Sequence, residues 1–138
     1  MSAQRIALLT AVALLAPISP AAAQDAAAGA GGSTLSTGFK FSERSGDALY
    51  ANACQACHMP DGKGATGAGT YPALAGDSNL ATGGYPVSIV VNGRHGMPPI
   101  GEMMDDDQVA AVVNYVRTHF GNNYRDAVTA ADVKAVRP

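Results

Sequence analysis

Apolar residues recur at helical spacing in three stretches of this chain, and the segments between them show little periodicity. In the first, Gly46, Leu49, Tyr50 and Ala53 share one side of a helix that Ser42 or Ser45 can cap and that runs to about Ala53. In the second, Pro86 suits a first helical position, and Val87, Ile89, Val90 and Val91 form a short apolar helix closed by Asn92-Gly93. The third and clearest runs from Asp105 to Phe120, where Val109, Val112, Val113, Val116 and Phe120 make an unbroken apolar stripe. Asp105 is its expected N-cap, with Gln108 three residues on completing a near capping box, and the Asp105-Asp106-Asp107 run suits the positive end of the helix dipole. Arg117 and His119 fall in the last turn, where cations are favoured, and Gly121 is the terminator. Thr129 and Asp132 can cap one more short turn. Met59 to Gly84 is a long stretch dense in glycine and proline, and so long a loop in a small domain implies that it wraps something. The pattern predicts an all-α domain of three to five short helices.

Composition changes this picture at the N-terminus. Arg5, the apolar run Ile6 to Ala16 and Ala21-Ala22-Ala23 read as a secretory leader over residues 1–23, cleaved before Gln24. That run is too short to span a bilayer, so no transmembrane segment is expected after cleavage, and the expected location is a bacterial periplasm. Residues 24–38 are small, Gly- and Ala-rich and almost uncharged, the composition of a flexible lead, and the ordered domain is expected to begin near Phe39-Lys40-Phe41. Loss of Arg5 leaves 8 basic and 11 acidic residues, a net charge near −3, which argues against nucleic acid or an anionic membrane surface as partner. About 100 folded residues give a thin core. The apoprotein is therefore expected to fold poorly without added apolar bulk.

The candidate chemistry lies in Cys54-Gln55-Ala56-Cys57-His58. C-x-x-C-H is the attachment run for a c-type haem: both thiols join the porphyrin vinyl groups, and the histidine then lies against the iron. Three other readings of the cysteines stand beside it. A thioredoxin-like redox pair needs a parallel-strand context, which is missing; a structural disulfide is possible in principle; a zinc site needs further Cys or His ligands, and these are the only two cysteines.

Gly46, Tyr50 and Cys54 stand at four-residue intervals before the motif, and this arrangement resembles the N-terminal helix of class I cytochromes c. The resemblance covers residues of about 42 to 121 and assigns a haem domain over residues 39–121, with N- and C-terminal helices crossing at a glycine. It implies that Tyr115 packs over Gly46. It also implies that the stretch Tyr71 to Gly76 lines the proximal side, with the Pro72 carbonyl accepting the Nδ1–H of His58 and Leu74 packing as pocket wall. The loop Arg94-His95-Gly96-Met97-Pro98-Pro99 resembles the distal loop of that family, making Met97 the sixth iron ligand opposite His58. Met59, Met103, Met104 and His95 are the competing candidates, and a cofactor role for His119 is not expected. Residues 122–138 exceed the minimal fold; they are similar to the extension on haem domains of periplasmic dehydrogenase cytochrome subunits, and a frayed end is the other reading.

With both axial positions filled by protein, such an iron exchanges one electron and offers no place to a substrate. The expected function is a periplasmic monohaem carrier, not an enzyme, taking electrons from a dehydrogenase toward a terminal oxidase or another cytochrome, as a shuttle or a bound subunit. Diffusing mitochondrial-type carriers surround the haem edge with lysines, whereas this chain has only Lys40, Lys63 and Lys134, which favours the subunit. The alternative is a haem enzyme or gas sensor in which Met97 is displaced.

Overall fold

The computed structural model describes residues 40–67 and 69–138; the leader, the Gly/Ala-rich lead and Phe39 lie outside the described residues. Helix α1 (Gly46–Leu49) continues through one wide π turn (Tyr50–Cys54) into α2 (Gln55–His58). The helix expected to stop near Ala53 thus carries the whole C-x-x-C-H run. Nothing between 46 and 58 breaks it, and it ends where Pro60 bars the preceding residue from helical backbone: Met59 sits at φ 65°. Two short antiparallel strands follow, β1 (Ala65–Thr66) and β2 (Thr70–Tyr71), then a 3-10 turn over Ser78–Ala81 and α3 (Gly84–Asn92). Pro86 lies in the first turn of α3, two residues later than expected, where its missing N–H costs nothing. A second 3-10 turn (Ile100–Met103), α4 (Asp106–Thr118) and α5 (Ala130–Val136) complete the chain. Among the described residues, no helix is long and apolar enough to cross a membrane.

α1 and α4 cross at Gly46. A Cβ added there would stand 2.6 Å from Tyr115 Cβ and closer still to the Ala111 carbonyl, so only glycine permits the approach. Tyr50 fills the crossing, its ring centroid 5.6 Å from Tyr115 and 4.8 Å from Phe120. The Asp105 capping box forms in full, with Gln108 N–H donating to Asp105 Oδ1 at 2.9 Å and Asp105 N–H to Gln108 Oε1 at 2.8 Å. The same Gln108 amide donates to the Phe41 and Glu43 carbonyls, tying the entry of the domain to α4. Val109, Val112, Val113 and Val116 are all buried.

One feature of α4 differs from the sequence reading and one goes beyond it. Phe120 is not on the stripe: the helix ends at Thr118, and Phe120 turns back at φ 56° to put its ring on Tyr50. Thr118 Oγ1, donating to the Asn114 or Tyr115 carbonyl, and His119 Nδ1, donating to the Tyr115 carbonyl, close that end. Arg117 lies in the last turn, as expected. It is fully buried, and its guanidinium donates to the carbonyls of Leu80 (2.9 Å), Ala81 (3.0 Å) and Asp126 and to Asp126 Oδ1 (2.7 Å). Four acceptors around one fork replace the water it would otherwise need.

Residues 122–138 are packed. Thr129 and Asp132 form the expected box, and Val133 of α5 is completely buried against α3 and α4. Burying a valine contributes about 1.5–3 kcal/mol, which holds a seven-residue helix that would not persist alone. Arg137 then fastens the end, donating to the Gly101 carbonyl (3.0 Å), the Met104 carbonyl (2.8 Å) and Asp106.

Candidate functional site

α2, the 72–81 segment, α3, the Met97 loop and one face of α4 surround an open cleft. Its walls are mostly apolar: Leu74, Leu80, Ile89, Val90, Ile100, Val112, Val113 and Val116, with Asp77 and Asn79 as polar exceptions. Five of the six residues singled out from the sequence lie on it: Cys54, His58, Pro72, Leu74 and Met97. Cys57, three positions along the helix, is exposed and does not line it.

His58 is only 8 % exposed, and its Nδ1 lies 2.9 Å from the Pro72 carbonyl oxygen. A carbonyl can only accept, so Nδ1 carries the proton, and a neutral ring then keeps its lone pair on Nε2. Nε2 has no hydrogen-bond partner among the described residues. A buried imidazole with one nitrogen fixed and the other bare is the state of a metal ligand.

The Pro72 carbonyl is held from several directions. Gly64, at φ 67°, lies against it; a Cβ there would be 2.8 Å from Pro72 O, and the Gly64 N–H donates to the His58 carbonyl at 3.0 Å. The N–H groups of Leu74 and Ala75 both donate to the Gly62 carbonyl, at 2.7 and 2.9 Å. Gly62, Gly64 and the Leu74 backbone are the residues that sequence reasoning passed over. The run Gly62-Lys63-Gly64 was the signal available for them: two glycines close together mark backbone that needs positive φ.

On the other side, α3 ends at Gly93 (φ 70°), and the chain folds into a tight loop in which Arg94 and Met97 exchange backbone hydrogen bonds of 3.0 and 2.9 Å. This brings half-buried Met97 to the cleft. Met104 also lines it, from the core side, whereas Met59, Met103 and His95 do not. His95 is exposed, at φ 51° in the turn.

Cys54 and Cys57 form no disulfide. Burial, with Cys57 adding to it, pushes the Cys54 thiol up to about 12. Burial also lifts the Tyr50 hydroxyl to about 12, and it donates to the Met59 carbonyl at 2.7 Å, holding the strained residue that follows His58. Among the described residues no three His, Cys, Asp or Glu side chains gather as a metal site. The residues present do fit a haem: a bare imidazole nitrogen, a thioether in the wall, a cysteine of the attachment run and an otherwise apolar cleft.

Comparison with known proteins points the same way. The chain is 33 % identical to the gluconate 2-dehydrogenase cytochrome c subunit of Pantoea cypripedii over a 112-residue alignment, which covers 68 % of this chain and 24 % of that protein. It is 36 % identical over 109 residues to the fructose dehydrogenase cytochrome subunit of Gluconobacter japonicus, covering 67 % and 22 %. It is 35 % identical over 102 residues to the cytochrome c subunit of a quinone-type alcohol dehydrogenase of Gluconacetobacter polyoxogenes, covering 64 % and 21 %. The match spans between a fifth and a quarter of the length of each of these relatives. Residues 42–116, containing the attachment run, the proximal segment, the Met97 loop and most of α4, match the family described as cytochrome c oxidase, cbb3-type, subunit III, and the chain belongs to this family of c-type cytochrome domains.

Proposed function

We propose that the chain is a one-electron carrier holding a single haem c, attached covalently through Cys54 and Cys57 and ligated by His58 and Met97. The observation that carries this reading is the His58 ring, whose Nδ1–H is committed to the Pro72 carbonyl while Nε2 stands bare at an apolar cleft. When bound, the haem iron supplies a reversible one-electron exchange. The chain supplies the rest. Pro72 fixes the histidine tautomer and raises its basicity, Leu74 and the α4 valines exclude water, and the Met97 loop presents a soft thioether that favours the reduced metal.

The partners follow from the relatives. Cytochrome subunits of gluconate, fructose and alcohol dehydrogenases suggest a periplasmic dehydrogenase as donor, with an oxidase or another cytochrome as acceptor. The lysines support a bound subunit over a freely steered shuttle: Lys63 pairs with Asp61 at 3.0 Å and Lys40 donates to the Glu102 carbonyl at 2.7 Å, so two of the three have local partners. Periplasmic location rests on the leader-like residues 1–23.

The test is expression with a cytochrome c maturation system. Haem should stay with the polypeptide through acidic organic extraction and be lost when Cys54 and Cys57 are both changed to Ser; extractable haem in the unaltered chain would end the covalent reading. Carbon monoxide separates the carrier from a sensor or haem enzyme. The reduced protein should resist it at neutral pH, and Met97→Ala should admit it.

A further inference from the structure

The segment carrying the Pro72 carbonyl is gripped by a residue far from the attachment run. Asn122 follows α4 and is 7 % exposed. One N–H of its amide donates to the Leu74 carbonyl at 2.8 Å, and the group also donates to the Val116 carbonyl at 2.9 Å. Its Oδ1 is buried and has no partner among the described residues. Turning the amide over would place that oxygen against two carbonyl oxygens, so the hydrogen bonds fix the orientation. Folded proteins keep orphaned buried acceptors few, and this one marks an amide held solely to donate.

A cap for the last turn of α4 would require only the bond to Val116. The bond to Leu74 reaches 48 residues back, to a peptide whose N–H is already tied to Gly62. Leu74 is thereby clamped at both its N–H and its C=O, two residues beyond the oxygen that receives the His58 proton. We propose that Asn122 is a positioning residue for the axial histidine, setting the Pro72–His58 hydrogen bond through the Leu74 carbonyl. The proposal rests on His58 being an iron ligand. A well-held Nδ1–H makes the ring a stronger donor through Nε2 and favours oxidised iron. Releasing the clamp weakens that bond and raises the midpoint potential.

The experiment uses the haem-loaded full chain with Asn122→Ala, Asn122→Ser and Arg117→Met. Arg117 serves as control because it holds the far end of the same segment, at Leu80 and Ala81. Two readouts are taken: the midpoint potential, and hydrogen exchange of the His58 Nδ1–H by NMR in the reduced state, compared at matched unfolding free energy. Asn122→Ala should exchange about tenfold faster or more, the mark of local opening, with a raised potential. Asn122→Ser, retaining one short donor, should fall between it and the parent, and it carries the test alone if the alanine variant does not fold. Arg117→Met should lower stability and leave both readouts in place. If Asn122→Ala behaves as Arg117→Met does, Asn122 is only a brace and the proposal is overturned. Absence of His58 ring protons shifted by the porphyrin ring current in the reduced parent protein would overturn the ligand assignment as well, which distinguishes the two failures.

Discussion

The two segments that flank the cleft are built in opposite ways. Residues 72–81, on the His58 side, are tied down by partners 36 to 48 residues away: Asn122 on the Leu74 carbonyl, Tyr124 on that of Asp77, and Arg117 on those of Leu80 and Ala81. The Phe120 carbonyl also receives the Gly76 N–H at 3.2 Å. Among the described residues, residues 93–100, which present Met97, make every hydrogen bond within four residues, as in the reciprocal Arg94–Met97 pair. The imidazole side is cross-braced by the C-terminal part of the chain, and the thioether side is a self-closed loop. A histidine must keep one proton on a fixed acceptor to hold its tautomer, whereas a thioether has no proton to place. The long-range bracing sits where orientation carries chemical information.

Breaking the braced side at its tightest point should have the largest effect. Gly64→Ala forces a side chain into positive φ and drives its Cβ into the Tyr71–Pro72 backbone. Strain and overpacking together should cost on the order of 4 kcal/mol, and on the order of 20 °C in thermal unfolding of the haem-loaded protein. A loss of only a few degrees would mean that the Pro72 carbonyl is not confined there. Arg117→Met comes next, at about 2–3 kcal/mol in urea unfolding, because it strips the Leu80 and Ala81 carbonyls of a buried donor. No measurable loss would show that water replaces the guanidinium freely.

The same contrast explains what could be read from the chain. The identity of each expected ligand is local information: C-x-x-C-H and the Met97 loop stand within runs of five or six residues, and the Asp105 and Thr129 boxes are three-residue signals. The crossing of α1 and α4 was also legible: Gly46 and Tyr50 keep helical register with the motif, and the resemblance to class I cytochromes c implied Tyr115 over Gly46. Arg117 does fall in the last turn of α4 as expected, but its burial was not legible, because its carbonyl partners come from a segment with no periodicity to betray its position. Phe120 fits the stripe by spacing alone, and only the break after Thr118 removes it. The tail gave a cap but not its destination, because a lone buried Val133 and an Arg137 fork are invisible until α3 and the 101–104 segment are in place.

On the self-closed side a comparable insult should be absorbed locally. At Gly93 (φ 70°) an added Cβ would stand 2.7 Å from the Met97 carbonyl and 3.0 Å from Pro99 N. Since no hydrogen bond among the described residues ties residues 93–100 to a distant segment, Gly93→Ala should cost about 1–2 kcal/mol, less than Gly64→Ala. Its main expected signature is carbon monoxide binding by the reduced protein, as Met97 is displaced from the cleft. Equal thermal losses at both glycines, with no gas binding at Gly93→Ala, would erase the distinction between the two sides.

The smallest effect is a pH dependence on the braced side. The Arg117 hydrogen bond, helped by Asp126's own backbone, holds the Asp126 carboxyl below its ordinary value of 3.8. A depressed carboxyl contributes stability that is fully present above the unfolded value and is lost as pH falls through the folded one. Asp126→Asn should therefore be less stable than the parent at about pH 6, and the gap should close below about pH 4. The gap should be small, because the Asp126 side chain is 72 % exposed and its backbone carbonyl still accepts from Arg117 in the variant. In an Arg117→Met background the gap should shrink to the part that Asp126's own backbone supports. A gap that persisted there undiminished would show that the carboxylate acts on something other than the guanidinium, and the bracing of residues 80 and 81 would then rest on the backbone carbonyl of Asp126 alone.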